Sequence, residues 1–154
     1  MLSIISAMDE NRLIGTGKSL PWNIPEEYQR YLSNVKGHTI IVGRKTFEIS
    51  GKDLSNDRIL ILSKSHSGPN YFNNIEDAIS AANGEDIFVT GGAEIYKQAL
   101  AYADALYISV IKGDFEGSVY FPQIDPSIWY VDHHEELAQY NYYIYRRKLI
   151  DLIN

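Results

Sequence analysis

Residues 86–101 read DIFVTGGAEIYKQALA, a short apolar run followed by two glycines and a segment with helical spacing. The run Asp86 to Thr90 is rich in residues that favour strands, whereas Ala93 to Ala101 follows a helical pattern. A strand that turns through glycine into a helix is typical of α/β domains, in which parallel strands alternate with helices. This stretch therefore predicts an α/β fold.

The same alternation extends in both directions along the chain. Further strands are predicted at Leu2 to Met8, Thr39 to Val42, Ile59 to Leu62 and Ala105 to Ile111. Further helices are predicted to begin at Pro25 and to run from Arg44 to Ile49 and from Ile75 to Ala82. No helix separates the aromatic run 140–145 from residues 129–131, which favours an antiparallel hairpin added to a parallel sheet. No repeat or linker divides residues 1–154, so we expect a single domain.

Composition and charge restrict the possible partners. With 45% hydrophobic and 22% charged residues, the chain has the composition of an ordinary globular protein. It contains no cysteine, no apolar run long enough to span a bilayer and no leader pattern, so we expect a cytoplasmic protein without a membrane partner. A net charge of −6 argues against nucleic acid, and we expect a monomer whose anionic ligands are held by local basic clusters.

A glutamate lies on the apolar face of the first predicted helix. The apolar residues at spacings of three and four are Ile24, Tyr28, Tyr31, Leu32 and Val35. Glu27 falls on this stripe, whereas Glu26 points elsewhere. Glu27 is either a helix-start residue whose carboxylate reaches solvent, or an acceptor at the floor of a pocket. Burial would raise its pKa and the helix N-terminus would lower it, so its protonation state stays open.

Two segments at strand ends are candidate phosphate sites. Gly43-Arg44-Lys45-Thr46 places cations at a helix start, which suits an anion, although a solvated basic helix start is the alternative. Ser63-Lys64 follows the next strand, so a 2′-phosphate would fit between the two segments. The glycines of Thr90-Gly91-Gly92-Ala93-Glu94-Ile95-Tyr96 allow close approach of a pyrophosphate, with a plain tight turn as the alternative. The four histidines lack metal-ligand spacing, so no metal is expected.

The glycine-containing segment 15–20 precedes Pro21 and Trp22. It matches neither a triphosphate-binding loop, which would need glycine where Arg12 stands, nor the dinucleotide fingerprint, which would need a third glycine. We therefore interpret it as a mobile lid over a pocket.

Taken together, these motifs resemble the dihydrofolate reductase family over essentially the whole chain. The motifs are Ile5-Ser6-Ala7, Ile14-Gly15, the segment from Leu20 to Glu27, the segment from Val42 to Glu48, the segment from Thr90 to Tyr96, and Tyr120-Phe121-Pro122. The resemblance implies an eight-stranded, mostly parallel sheet with an antiparallel C-terminal hairpin and helices on both faces. It also implies NADPH as cofactor, dihydrofolate as substrate and antifolate compounds as inhibitors.

The same resemblance implies individual roles. Glu27 would hold the pterin and assist protonation of its N5, and Trp22 would position a water. The residues expected to contact substrate are Ile5, Ala7, Tyr28, Tyr31, Thr90 and Ser109. Those expected to line the cofactor site are Ala7, Ile14, Gly43, Arg44, Lys45, Thr46, Ser63, Lys64, Gly91, Gly92, Ala93, Glu94, Ile95 and Tyr96.

Four details of the resemblance bear on the site. Arg44 and Lys64 would favour NADPH over NADH. A cis peptide is expected between Gly91 and Gly92. The family usually has phenylalanine where Tyr31 stands, so its hydroxyl should find a partner or water. Asp57 occupies the place of the family's arginine for the substrate carboxylate, and we assign that contact to Arg58.

Two other functions share parts of this pattern. Another NADPH-dependent pterin or pyrimidine reductase could share the fold, but a pyrimidine reductase would lack the constellation from Trp22 to Glu27. A catalytically silent module of the same fold would have no need of Glu27, Trp22 and the double glycine together.

Overall fold

The computed structural model describes residues 1–15, 20–56 and 58–149, with backbone only at Lys52. Its α-helices are α1 (Pro25–Val35), α2 (Arg44–Ser50), α3 (Ile75–Ala81) and α4 (Ala93–Ala99), and a 3-10 turn covers Gly51–Asp53. Its strands are β1 (Leu2–Asp9), β2 (Leu13–Gly15), β3 (Thr39–Gly43), β4 (Ile59–Leu62), β5 (Tyr71–Phe72), β6 (Ile87–Val89), β7 (Ala105–Ile111), β8 (Val119–Tyr120), β9 (Trp129–Glu136) and β10 (Tyr140–Arg147).

Eight of these strands form one sheet in the order β5-β4-β3-β6-β1-β7-β10-β9. All neighbours from β5 to β7 are parallel, and β10 runs antiparallel to both β7 and β9. Strands β2 and β8 form a separate antiparallel pair. The predicted α/β architecture with its antiparallel C-terminal hairpin is therefore confirmed.

The core has two layers because successive side chains of a strand point to opposite faces of the sheet. In β1, Ile4 packs in a cluster with residues of α3 and α4 such as Ala78 and Ala99. Its neighbour Ile5 packs in a second cluster with Val35 of α1 and the partly buried Phe47 of α2. Helices therefore cover both faces, as predicted, and β1 lies close to the centre of the molecule.

The start of α1 places the first turn of that helix against the sheet. Proline suits this position because its fixed φ is helical and its missing N–H is not needed there. Glu26 and Glu27 occupy the first turn, where the helix dipole favours negative charge.

No helix in the described part of the chain is long and apolar enough to cross a membrane.

The structure differs from the predicted elements mainly in short segments. Strands β2, β5 and β8 contain only two or three residues each and were not predicted. Strand β9 extends well beyond residue 131, through a run of exposed polar residues to Glu136. It forms an edge of the large sheet, where charged side chains are common because they disfavour pairing with another chain.

Candidate active site

A cavity of about 650 Å³ opens where the carboxyl ends of β1, β3 and β6 meet the N-termini of α2 and α4. This is the edge at which open α/β sheets bind ligands. The sequence-predicted residues that line it are Ile5, Ala7, Ile14, Glu27, Tyr28, Tyr31, Gly43, Arg44, Lys45, Thr46, Ser63, Lys64, Thr90, Gly91, Gly92, Ala93, Glu94, Ile95 and Tyr96. The fold thus brings both candidate phosphate segments and the glutamate to one cavity.

Glu27 faces this cavity from the first turn of α1, and only 9% of its surface is exposed. Burial raises the pKa of its carboxyl, because the charged form loses hydration. A hydrogen bond from Ser109 on β7 and the charge of Arg30 oppose this rise. Of the two readings of Glu27, the structure therefore supports the pocket acceptor, with a carboxyl that holds its proton to a higher pH than usual.

Two tyrosines beside Glu27 carry their hydroxyls into the cavity wall. The hydroxyl of Tyr31 hydrogen bonds with the side chain of Thr90, and burial raises the pKa of Tyr31 to about 12. Tyr96 is buried and donates from its hydroxyl to the carbonyl oxygen of Ile5 at 2.8 Å. The partner expected for the Tyr31 hydroxyl is thus Thr90, and both phenols stay protonated at physiological pH.

A strip of backbone forms the middle of the cavity wall. The N–H of Gly43 donates to the carbonyl oxygen of Gly91 at 2.8 Å, which joins the ends of β3 and β6. A Cβ on Gly92 would lie 2.9 Å from Thr46 Oγ1, and a Cβ on Gly43 would lie 3.2 Å from Ile95 Cγ1. A cis peptide joins Gly91 to Gly92, as the resemblance implied. These glycines leave room for close approach of a ligand to the backbone.

Three cations, Arg44, Lys45 and Lys64, line the cavity beyond this strip. Arg44 is paired with Glu48 one helical turn away at 3.0 Å. Next to Lys64, the hydroxyl of the buried Ser63 accepts the backbone N–H of His66 at 3.1 Å, which fixes the turn after β4. In a chain of net charge −6, this local cluster is a suitable site for phosphate groups.

Comparison with known proteins shows which family this chain is similar to. The family model for dihydrofolate reductase matches residues 1–150. The chain belongs to the dihydrofolate reductase family. A dihydrofolate reductase of Bacillus subtilis is 39% identical over 134 residues, which cover 84% of this chain and 80% of that protein. One from Staphylococcus aureus is 35% identical, covering 84% and 83%.

The fold agrees with that family as well. A solved structure of dihydrofolate reductase from Enterococcus faecalis, complexed with NADP(H) and RAB-propyl, superposes with a TM-score of 0.85. It is 27% identical to this chain, and the match covers 96% of each.

Three residues that were predicted for the site of this dihydrofolate reductase family member lie outside the cavity lining, namely Ser109, Trp22 and Arg58. Ser109 lies just behind Glu27 and acts on it through the hydrogen bond described above. Trp22 packs edge-on against Phe115 at 5.3 Å, and its buried indole N–H has no partner among the described residues. Both positions are adjacent to the cavity rather than in its wall.

The structure does not bring Arg58 to the cavity. Its guanidinium donates to the carboxylate of Glu85 at 2.7 Å and to the carbonyl oxygen of Ala81. Ala81 is the last residue of α3 and Glu85 lies in the turn between α3 and β6, and together they hold the side chain there. The neighbouring Asp57 and lid residues 16–19 lie outside the described residues, although Gly15 and Leu20, which flank the lid segment, line the cavity.

Some residues that line the cavity were not predicted from the sequence. They are Ser6, Ile49, Ser50, Leu62, Ser65 and Val119. Ile49 and Ser50 follow Lys45 and Thr46 by one helical turn, so the spacing of α2 could have identified them. Val119 carried no comparable signal, because it reaches the cavity through the short pairing of β8 with β2.

Proposed function

We propose that this chain reduces 7,8-dihydrofolate to 5,6,7,8-tetrahydrofolate with NADPH. The observation that carries the proposal is the buried carboxyl of Glu27, which shares one cavity with a glycine-lined strip and three cations. NADPH supplies the hydride when it is bound. Orientation and exclusion of bulk water, rather than a protein nucleophile, then account for the catalysis.

The residues that would hold NADPH fit its chemistry. Because Gly43, Gly91 and Gly92 carry no side chain, a pyrophosphate can approach their backbone closely. The wall also requires glycine at Gly92, since any Cβ there would collide with Thr46. Arg44, Lys45 and Lys64 supply positive charge for the phosphates, and Arg44 with Lys64 would select the 2′-phosphate of NADPH.

Glu27 is the proposed catalytic residue. Its carboxyl would bind the ring N–H and amino group of the pterin and assist delivery of a proton to N5. We propose that Trp22 binds the water through which that proton passes. Its buried indole N–H, which has no partner among the described residues, supports this role. Ser109, which donates to Glu27, would keep the carboxyl in position.

The remaining substrate contacts are proposed from the cavity lining. Ile5, Ala7 and Thr90 would contact the pterin, and Tyr28 and Tyr31 the group that follows it. Antifolate compounds would bind in the same place. That the protein is a monomer and that it is cytoplasmic both stay predictions. Sedimentation of the purified protein would test the oligomeric state.

The first test follows NADPH absorbance after purified protein is mixed with dihydrofolate. We expect turnover in the wild type and in Glu26→Gln, because Glu26 is exposed on the same helical turn. We expect a loss of at least about 100-fold in kcat for Glu27→Gln, the usual contribution of a positioned acid or base. Normal NADPH binding without turnover would instead favour another pterin or pyrimidine substrate, or a silent module.

The pH dependence tests the role of the carboxyl separately. Because burial raises the pKa of Glu27, its protonated form persists to a higher pH than in solution. We expect kcat/KM to fall as pH rises through this raised pKa and expect the Glu27→Gln variant to lack that limb. The same limb in both proteins would show that another group controls protonation.

A further inference from the structure

A row of three side chains crosses the sheet on the face that α1 contacts. Ser109 of β7 pairs directly with Tyr142 of β10, and Tyr142 pairs directly with Glu135 of β9. Residues that pair directly on antiparallel strands project from the same face of the sheet, with their Cβ atoms about 5 Å apart. We call Ser109, Tyr142 and Glu135 the polar row.

Two side chains of α1 contact the polar row one helical turn apart. The carboxyl of Glu27 accepts a hydrogen bond from Ser109. The guanidinium of Arg30 lies 4.1 Å from the centre of the Tyr142 ring and donates to both carboxylate oxygens of Glu135, at 2.9 and 3.0 Å. Because residues three apart on a helix are neighbours, and because their contacts lie side by side in the row, the charge of Arg30 is held close to the Glu27 carboxyl.

Further hydrogen bonds fix Arg30 in this place. Its Nε donates to the hydroxyl of Tyr140 at 3.1 Å. Asn34, one turn further along α1, donates to the hydroxyl of Tyr142 at 3.1 Å and so holds the ring against the guanidinium. Loss of the Glu135 carboxylate alone should therefore leave Arg30 where it is, but without its negative partner.

The charges of Arg30 and Glu135 act on Glu27 in opposite directions. Burial has the largest effect on the pKa of Glu27 and raises it, whereas the Ser109 hydrogen bond and the positive charge of Arg30 lower it. Glu135 counteracts Arg30, because a neighbouring negative charge neutralises it. The pKa of Glu135 is lowered to about 2, chiefly by its hydrogen bonds with Arg30, so this carboxylate stays ionised while Glu27 titrates.

We propose that Arg30, clamped over the polar row by Tyr142 and Glu135, is a positioning residue that acts on the reaction through Glu27 and controls how readily its carboxyl releases a proton. This inference rests on the proposed function, because Glu27 is the catalytic residue proposed there. If the pair served only to hold α1 in place, loss of either partner would have the same effect. Electrostatic control instead predicts opposite effects for Arg30 and Glu135.

The test measures the pH profile of kcat/KM for dihydrofolate. Arg30→Gln should move the limb that depends on Glu27 to higher pH, and Glu135→Gln should move it to lower pH. Each shift should be roughly half a pH unit, as expected for partly exposed charges. Arg30→Lys keeps the positive charge and should keep the limb near that of the wild type.

Other titratable groups face Glu27 or its neighbours and need controls. The pKa values of Tyr31 on α1 and Tyr96 on α4 are raised by burial, so both phenols stay uncharged near Glu27. His133 lies 2.8 Å from the Glu135 carboxylate, and a histidine can change charge within such a pH profile. The opposite shifts should therefore persist when both variants are made in a His133→Gln background.

A second ion pair of the same sheet provides a matched control. Arg146, further along β10, pairs with Asp132 of β9 at 3.4 Å. Arg146→Gln removes the same charge from this other pair and should leave the limb at the pH of the wild type.

A direct titration separates this inference from the proposed function. NMR of protein with isotope-labelled glutamate side chains measures the pKa of Glu27 without turnover, and the Glu27→Gln variant identifies its signal. Shifts in the same direction in Arg30→Gln and Glu135→Gln, or no shift, would overturn the inference. If Arg30→Gln does not fold, a Glu135→Gln signal that fails to move to lower pH is sufficient to overturn it. Opposite shifts in a protein that does not reduce dihydrofolate would overturn the proposed function but support the control of Glu27 by Arg30.

Discussion

The ion pair between Arg30 and Glu135 connects the helix of the proposed catalytic glutamate to the edge of the sheet. Arg30 donates from both terminal nitrogens to the Glu135 carboxylate, at 2.9 and 3.0 Å. Its guanidinium also lies 4.1 Å from the centre of the Tyr142 ring. His133 lies 2.8 Å from the same carboxylate. The contacts with Arg30 and His133 lower the pKa of Glu135 from 4.5 to about 2, with the Arg30 hydrogen bonds as the largest cause.

This shift sets the expected size and sign of the stabilisation. A pKa lowered from 4.5 to about 2 would correspond to ~3 kcal/mol in the free energy of unfolding if solvent did not screen it. Because the Glu135 side chain is 39% exposed, we expect a coupling with Arg30 of only about 1 kcal/mol. The folded-state pKa is depressed, so this stabilisation is complete above pH 4.5 and is lost as pH falls towards 2.

A double-mutant cycle measures this coupling. Urea unfolding of the wild type, Arg30→Gln, Glu135→Gln and the double variant gives the pairwise term without the contribution of His133. We expect about 1 kcal/mol at neutral pH and low salt, less at high salt, and a progressive decline as the pH is lowered. A coupling that is absent at neutral pH, or that persists unchanged in acid, would refute the electrostatic account.

Two further predictions concern the cavity wall. Tyr31→Phe deprives the Thr90 hydroxyl of its partner, so we expect the free energy of unfolding to fall by about 1 kcal/mol in urea titrations. Thr90→Val should then add little to that loss, and additive losses would contradict the hydrogen bond. Lys64→Met should weaken NADPH binding about tenfold in fluorescence titrations, the usual effect of losing one charged contact. Equal weakening of NADH would argue against a 2′-phosphate contact.

Local pattern was sufficient to predict most of the fold. The alternation of Ile4 and Ile5 between two core layers follows directly from a continuous apolar strand covered by helices on both faces. Strand β5, by contrast, consists of Tyr71 and Phe72 alone, which is too short to show any periodicity. The polar residues of β9 were missed because an edge strand need not carry an apolar face.

The site was predictable where it depended on neighbours in the chain and unpredictable where it depended on distant ones. Glu27 was located by its helical stripe, but its pKa depends on burial and on Ser109, which β7 brings from 82 residues further along the chain. Arg58 was assigned by chemical type, yet Glu85 and the end of α3 determine where its guanidinium lies. Side-chain direction in loops is set by tertiary partners, and local sequence does not record them.

The glycine-lined strip has a consequence for how this cavity can change in evolution. Its donors and acceptors are main-chain atoms, such as the N–H of Gly43 and the carbonyl oxygen of Gly91, and every residue type except proline carries both. A substitution there by a residue other than proline adds a side chain but leaves these main-chain donors and acceptors in place. Preference between phosphorylated and unphosphorylated dinucleotides would therefore drift through Arg44 and Lys64, the proposed contacts of the 2′-phosphate, independently of the ability to hold a dinucleotide at all.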